Sequence, residues 1–362
     1  MARKIDLQFP QGVERRLGYR ATSKSRGGYP TPWAMNVRLR DSLTDRMRGG
    51  SFTGISAASR SAPVYRGRKL TFSGRAVTAS RVGIHGDIDM GADVTDSMRP
   101  ALFQFSEAGS QGSAVVALVP HKDRYLLGFM ADELWVQSGD PLNGTRQRVS
   151  DQVGIIGANA WCVAHDTVYF LSSHGLYSVN ADGGGLKPLS EGVLPEDLTD
   201  VTDSTCTLTY QHADRGVYIH KSGTNWYYDI ERDEFWPFDT DTTDSHILIG
   251  PFRLGSTDML GMIQAMHGIM AEGSDTVTWH IVPGDTAEQS AENGKAAITS
   301  SLAGTTTWIN YVNGSGAWSA GRSQTARPRV TTMWATLWLH CEGDWAYEGI
   351  SVTLVPAGAW RK

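Results

Sequence analysis

The sequence predicts an all-β protein: a β-propeller-like body of four-stranded blades, with an extended N-terminal arm and a small C-terminal β region. Three observations carry this expectation. First, the 362 residues include 40 Gly, 12 Trp, 12 Tyr and 10 Phe, and sustained helical periodicity is nearly absent. Second, the stretch 139–185 alternates strand and turn. Thr167–Leu171 is a β-branched and aromatic run, Ser172–Gly175 supplies turn chemistry, Leu176–Val179 is a second run, and Asn180–Gly185 ends in three glycines that permit positive φ. Third, the first-strand markers Val115, Cys162, Cys206 and Ile247 are spaced by 47, 44 and 41 residues. That rhythm fits a blade period of ~40–50 residues.

Taken in order, residues 1–65 form a basic arm rich in Arg, Gly, Ser and Pro, with no sustained period of 2 or 3.6. Such a segment orders against a partner surface rather than alone. Within it, Ala34–Leu39 reads as a strand and Gly49-Gly50 as a bend. Residues 66–290 form the propeller-like body. Weak strands at Lys69–Phe72 and Arg81–Ile84 open it. Three repeat units then have cores at Ala114–Val119, Arg124–Phe129 and Glu133–Gln137; at Ala160–Ala164, Thr167–Leu171 and Leu176–Val179; and at Thr205–Tyr210, Val217–Lys221, Asn225–Tyr228 and Phe235–Phe238. A fourth unit is expected at Ser245–Phe252, Met259–Ile263, Gly268–Ala271 and Thr276–Val282, with weaker units near 66–100 and 295–325. Residues 291–362 complete or flank the propeller through the Trp- and Thr-rich runs Thr331–His340 and Trp345–Val355.

Charge is divided unevenly. Residues 1–81 hold 17 Lys/Arg against four Asp/Glu, whereas residues 82–362 hold 16 against 34, so a +13 segment is joined to a −18 body. A basic arm on an acidic body suits docking on acidic neighbours, including copies of the same body, or nucleic-acid binding. Chemistry is harder to find. The sequence lacks a nucleophile elbow, a P-loop, a dinucleotide fingerprint and an H-E-x-x-H helix. No catalytic residue, cofactor or metal site is therefore expected. Asp87, Asp89 and Asp93 approach a calcium loop but lack its sixth-position Gly and closing Glu, which leaves open whether they bind an ion. Cys162, Cys206 and Cys341 are far apart without metal-ligand spacing, and are expected as buried thiols. No apolar run has signal-peptide or membrane-span length.

Two strings carry a resemblance. Ala34-Met35-Asn36-Val37-Arg38 followed by Arg46-Met47-Arg48-Gly49-Gly50-Ser51 resembles the N-terminal arm of tailed-phage virion proteins. Leu134-Trp135, Gly139-Asp140-Pro141, Gly157 and Tyr169-Phe170-Leu171 with Gly175-Leu176-Tyr177 are similar to a blade of the same proteins, the tail nozzle or tail tubular protein B group. The resemblance implies a structural virion protein: a ring, six-fold in expectation, at the tail or head–tail junction. It also implies adaptor, portal or other tail proteins and tail fibres as partners, DNA passing through without sequence-specific binding, and synthesis in the bacterial cytoplasm. The charge split, and the aromatics interleaved with the arginines, make Trp33, Arg38, Arg40, Arg46 and Arg48 the expected subunit contacts. On the ring reading the inter-unit loops with Glu196, Asp197, Asp200, Asp203, Asp239, Asp241 and Asp244 line a channel that repels phosphate. The rival expectation is a carbohydrate-binding or glycan-hydrolysing propeller in receptor recognition, which has no need of a basic arm.

Overall fold

Four four-stranded sheets follow one another along the chain in a computed structural model of the protein. The structure describes all residues except 1–2, 7–9, 14–28, 41–45, 51–59, 61–62, 92–93, 108–111, 192, 194–197, 257–258, 321–322 and 360–362. The first sheet joins Val64–Tyr65, Arg68–Ser73, Ala76–Ala79 and Ala101–Gln104. The second is Ala117–His121, Tyr125–Phe129, Leu134–Ser138 and Thr145–Ser150. The third is Trp161–Ala164, Thr167–Ser172, Gly175–Asn180 and Lys187–Pro188. The fourth is Thr207–Gln211, Gly216–His220, Asn225–Asp229 and Glu234–Phe238. In each sheet spatial order follows chain order, which is the meander of a propeller blade. The all-β, propeller-like reading therefore holds.

Its details shift at both ends. The weak unit near 66–100 is a full sheet. The unit expected at Ser245–Val282 is not a blade: Met259–Met270 is one 12-residue strand of a seven-stranded sheet, while Ser245–Arg253 and Val277–Gly284 belong to a five-stranded one. The weak unit near 295–325 is replaced by an α-helix, Ala287–Leu302, a 3-10 turn, Thr306–Tyr311, and two strands that join different sheets, Ser315–Trp318 and Ser323–Ala326.

The described chain divides into two compact units. One comprises Ser56–Gly223 with Asp229–Glu231; the other comprises Met1–Ile55, Thr224–Tyr228 and Arg232–Lys362. In the first unit, neighbouring sheets share their cores, as blades must because one alone has no second layer to bury it. Leu70, Val77, Phe103, Phe105, Leu118 and Trp135 form one cluster between the first and second sheets. Gly128 is required there, since a Cβ would stand 2.5 Å from the Phe105 ring. Phe129 meets Phe170 of the third sheet at 4.8 Å between ring centroids. One arginine is entirely buried in this unit. Arg68, at 0% exposure, donates to the carbonyls of Ser80, Ser97, Met98 and Arg99 and pairs with Asp140 at 3.3 Å.

The second unit is built by long-range pairing. Its larger sheet runs in the order Ser323–Ala326, Met259–Met270, Trp345–Ala359, Arg46–Gly49 and Val37–Arg40. Arg3–Asp6 also pairs with Trp345–Ala359, and Val330–Thr332 with Met259–Met270. The five-stranded sheet runs Ser315–Trp318, Val277–Gly284, Trp334–Cys341, Ser245–Arg253 and Ala34–Met35. The helix lays Ala297 and Ile298 on Leu248, Val282 and Trp338 of that sheet. Its first turn is capped by Thr286, whose hydroxyl accepts from the Gln289 amide at 3.1 Å. Residues expected in the arm thus lie partly within the second unit and, from Ser56, in the first.

Candidate interaction surfaces and side-chain clusters

The string Ala34–Ser51 shows how a basic segment becomes part of a sheet. Ala34–Met35 pairs with His246 and Ile247 in the smaller sheet, and Val37–Arg40 pairs with Arg46–Gly49 in the larger one. Between them Asn36 takes φ 53°, a left-handed conformation that Asn tolerates better than most residues. Its side chain is fully buried. Nδ2 donates to the carbonyls of Thr242 (3.1 Å) and Asp244 (2.9 Å), and Oδ1 accepts from the Asp239 amide at 2.6 Å. Its carbonyl accepts from the Gly50 amide at 3.2 Å. Gly49 sits so close to Trp345 that a Cβ would lie 2.0 Å from the indole nitrogen. The residues that carry the resemblance are therefore the corner at which one run of chain passes from one sheet to the other.

Of the expected subunit-contact residues, Trp33 packs with the helix-covered core of its own unit and meets the His246 ring edge-on at 6.1 Å. The four arginines are brought together by register. Arg38 is the Cα partner of Arg48, and Arg40 that of Arg46. The register is that of the backbone, and it gathers four basic residues on two paired strands. Arg38 also lies over the Tyr227 ring at 5.1 Å.

The expected channel residues fall into two groups. Glu196 and Asp197 lie outside the described residues. Asp200 is exposed, and Asp203 caps a turn: its carboxylate accepts from the amides of Thr205 and Ser222, both at 2.9 Å. The Thr205 hydroxyl and these amides hold Asp203 below the usual carboxylate range. Both belong to the first unit. Asp239, Asp241 and Asp244 belong to the second, where the Asp241 amide donates to Asp239 at 2.9 Å. Of the calcium-loop trio, Asp93 is outside the described residues. Asp87 approaches Arg81 at 3.9 Å, and Asp89 accepts from the Gly91 amide at 2.8 Å. The three cysteines are buried free thiols, as expected.

Two features are ones the sequence reading missed. In the first unit, His121, Lys122, Arg124, Tyr125, Asp166, Asn180 and Asp182 line an open hollow of about 400 Å³, crossed by a Lys122–Asp166 ion pair. In the second, His246 and His340 are direct cross-strand partners whose rings stack at 4.4 Å and 13°. The Trp338 indole donates to Nδ1 of His246 at 3.3 Å, and His280 stands 4.5 Å from the Trp338 ring. Burial, and next the neighbouring His340, lower His246 to about 3 and His280 to about 4; burial also lowers His340, against the pull of Asp244 and Glu342. The only hint in the sequence was the period-2 spacing of Asp244 and His246, and of Trp338 and His340.

No protein-family model matches the chain, and no curated protein does. Among solved structures it is similar to the AfRom2 CNH domain, at 8% identity over 70% of this chain and 84% of that one. The TM-score is 0.28, too low to bear on function.

Proposed function

We propose that the protein is a non-catalytic structural subunit of a tailed-phage particle, assembling into a ring at the tail or head–tail junction. The observation that supports this best is the hairpin of Val37–Arg40 and Arg46–Gly49. It sets four arginines in two opposed pairs on the last two strands of a sheet. The intervening residues 41–45 bring only two carboxylates, Asp41 and Asp45. Four arginines gathered on two paired strands concentrate basic groups at one place, and the guanidinium fork pairs bidentately with carboxylates of a neighbouring subunit. Adjacent copies supply such carboxylates, since residues 82–362 carry −18. The hairpin belongs to the string that resembles the phage arm. On this reading DNA passes without being read, and the acidic loops keep its phosphates at a distance.

The test is assembly of the purified full chain, with Arg38, Arg40, Arg46 and Arg48 all changed to Gln in the variant. Native mass spectrometry should find closed oligomers of the wild type, dissociating as salt rises. The variant should be monomeric and folded, with a melting midpoint that no longer rises with protein concentration as that of the assembling wild type does. A wild-type monomer that binds glycan arrays would favour the carbohydrate-binding alternative and sink this proposal.

A further inference from the structure

We propose that Asp244, His246 and His340 form a site for one divalent transition-metal ion of the Zn2+, Co2+ or Ni2+ class, held by two imidazoles and one carboxylate with its remaining positions open to water. One donor atom from each residue lies within 4.8 Å of the others. Two imidazoles with one carboxylate is a ligand set suited to these ions. The strand register creates the cluster: His246 and His340 are paired across Ser245–Arg253 and Trp334–Cys341, and Asp244 immediately precedes the first of these strands.

His246 also offers a buried nitrogen that makes no hydrogen bond. His246 is 1% exposed, yet its Nε2 has no hydrogen-bond partner. An indole nitrogen can only donate, so Nδ1 of His246 must accept from Trp338 and the neutral ring carries its proton on Nε2. The buried Nε2–H donates to no group, so no internal bond is broken at that nitrogen when the ring proton shifts to Nδ1 and Nε2 becomes a ligand. Whichever nitrogen meets the ion, the Trp338 bond is given up. Ligation at Nε2 moves the ring proton to Nδ1, which can no longer accept, and ligation at Nδ1 displaces the indole directly. What is lost is one long hydrogen bond of 3.3 Å.

Closure needs a small movement. Ligand atoms about 2.1 Å from a tetrahedral ion stand roughly 3.4 Å apart, so the present spread must contract by at most about 1.4 Å. The stacked rings have lone pairs that do not yet converge. His340 and Asp244 are only half-buried and have room to turn toward His246.

The experiment uses the untagged full chain, stripped with chelator and titrated calorimetrically with Zn2+ and separately with Ni2+. About one ion per chain should bind, the melting midpoint should rise with metal, and Ni2+ should change tryptophan emission through Trp338. His340→Gln and Asp244→Asn, both at half-exposed positions, should each weaken binding more than about 10-fold and remove the emission change. If either variant alters the metal-free midpoint, the other decides. Absence of stoichiometric binding, or binding undiminished in both variants, overturns the site. Neither result depends on whether the chain assembles into a ring.

Discussion

The first unit makes its sheets from neighbours in sequence, whereas the second makes them from the two ends and the middle of the chain. The second sheet of the first unit, from Ala117 to Ser150, closes within 34 residues. In the second unit, Arg3–Asp6 lies against Ser351–Leu354 and Gly49 against Trp345. The polar groups that hold each unit differ accordingly. Arg68 ties a loop of its own sheet, residues 80–99, to that sheet. Asn36 ties the N-terminal segment to Asp239–Asp244, some 200 residues away. A local fold tolerates damage one hairpin at a time. A fold spliced from distant segments has to close larger loops before any contact is made.

The strongest way to break this comparison is Arg68→Met. It removes a fully buried charge, takes one donor from each of four carbonyls and leaves Asp140 without its ion-pair partner, which should destabilise the protein by about 4 kcal/mol. Urea unfolding followed by tryptophan fluorescence measures it. A loss under about 1 kcal/mol would mean that water replaces the guanidinium, and that the first unit is held by its apolar cores alone.

Asn36→Ala should cost somewhat less, about 3 kcal/mol, from two donated bonds, one accepted bond and a left-handed backbone that Ala resists. The comparison sharpens in kinetics. If the distant splice forms early, this substitution slows folding; if it forms last, it mainly speeds unfolding. Stopped-flow folding limbs distinguish the two, and a variant as stable as the wild type would remove Asn36 from its role as the corner.

The same contrast explains what was legible in the sequence. The meanders of the first unit were visible because each hairpin carries its own turn, as at Ser172–Gly175. Their outer strands carry little signal: Thr145–Ser150 is TRQRVS, with Val149 its one apolar residue, and Lys187–Pro188 is two exposed residues. The helix was invisible for another reason. Its buried positions, Ala287, Ser290, Ala291, Gly294, Ala297 and Ile298, keep helical spacing, but small residues leave almost no hydropathy signal. The arginines of the hairpin were named from their composition, whereas their opposed register needed the backbone. Cross-strand pairing of His246 with His340, 94 positions on, has no counterpart in local pattern.

The smallest effect concerns acid. Asp203 is a turn-capping carboxylate of the first unit, and its folded-state proton affinity is lowered by Thr205 and Ser222. A carboxylate depressed on folding stabilises the protein at pH values above its unfolded pKa, near 3.9, and that contribution disappears as pH falls through the lower folded value. The wild type should therefore lose stability between about pH 5 and pH 3, and Asp203→Asn should lose slightly less over the same interval while starting from a lower value at neutral pH. Urea midpoints at pH 7, 5 and 3 for both proteins give the difference directly. The residue is only half-buried, so salt should shrink the effect. Equal acid slopes for the two proteins would show that the Thr205 and Ser222 bonds persist with a protonated acid, and that this turn is held by its backbone rather than by charge.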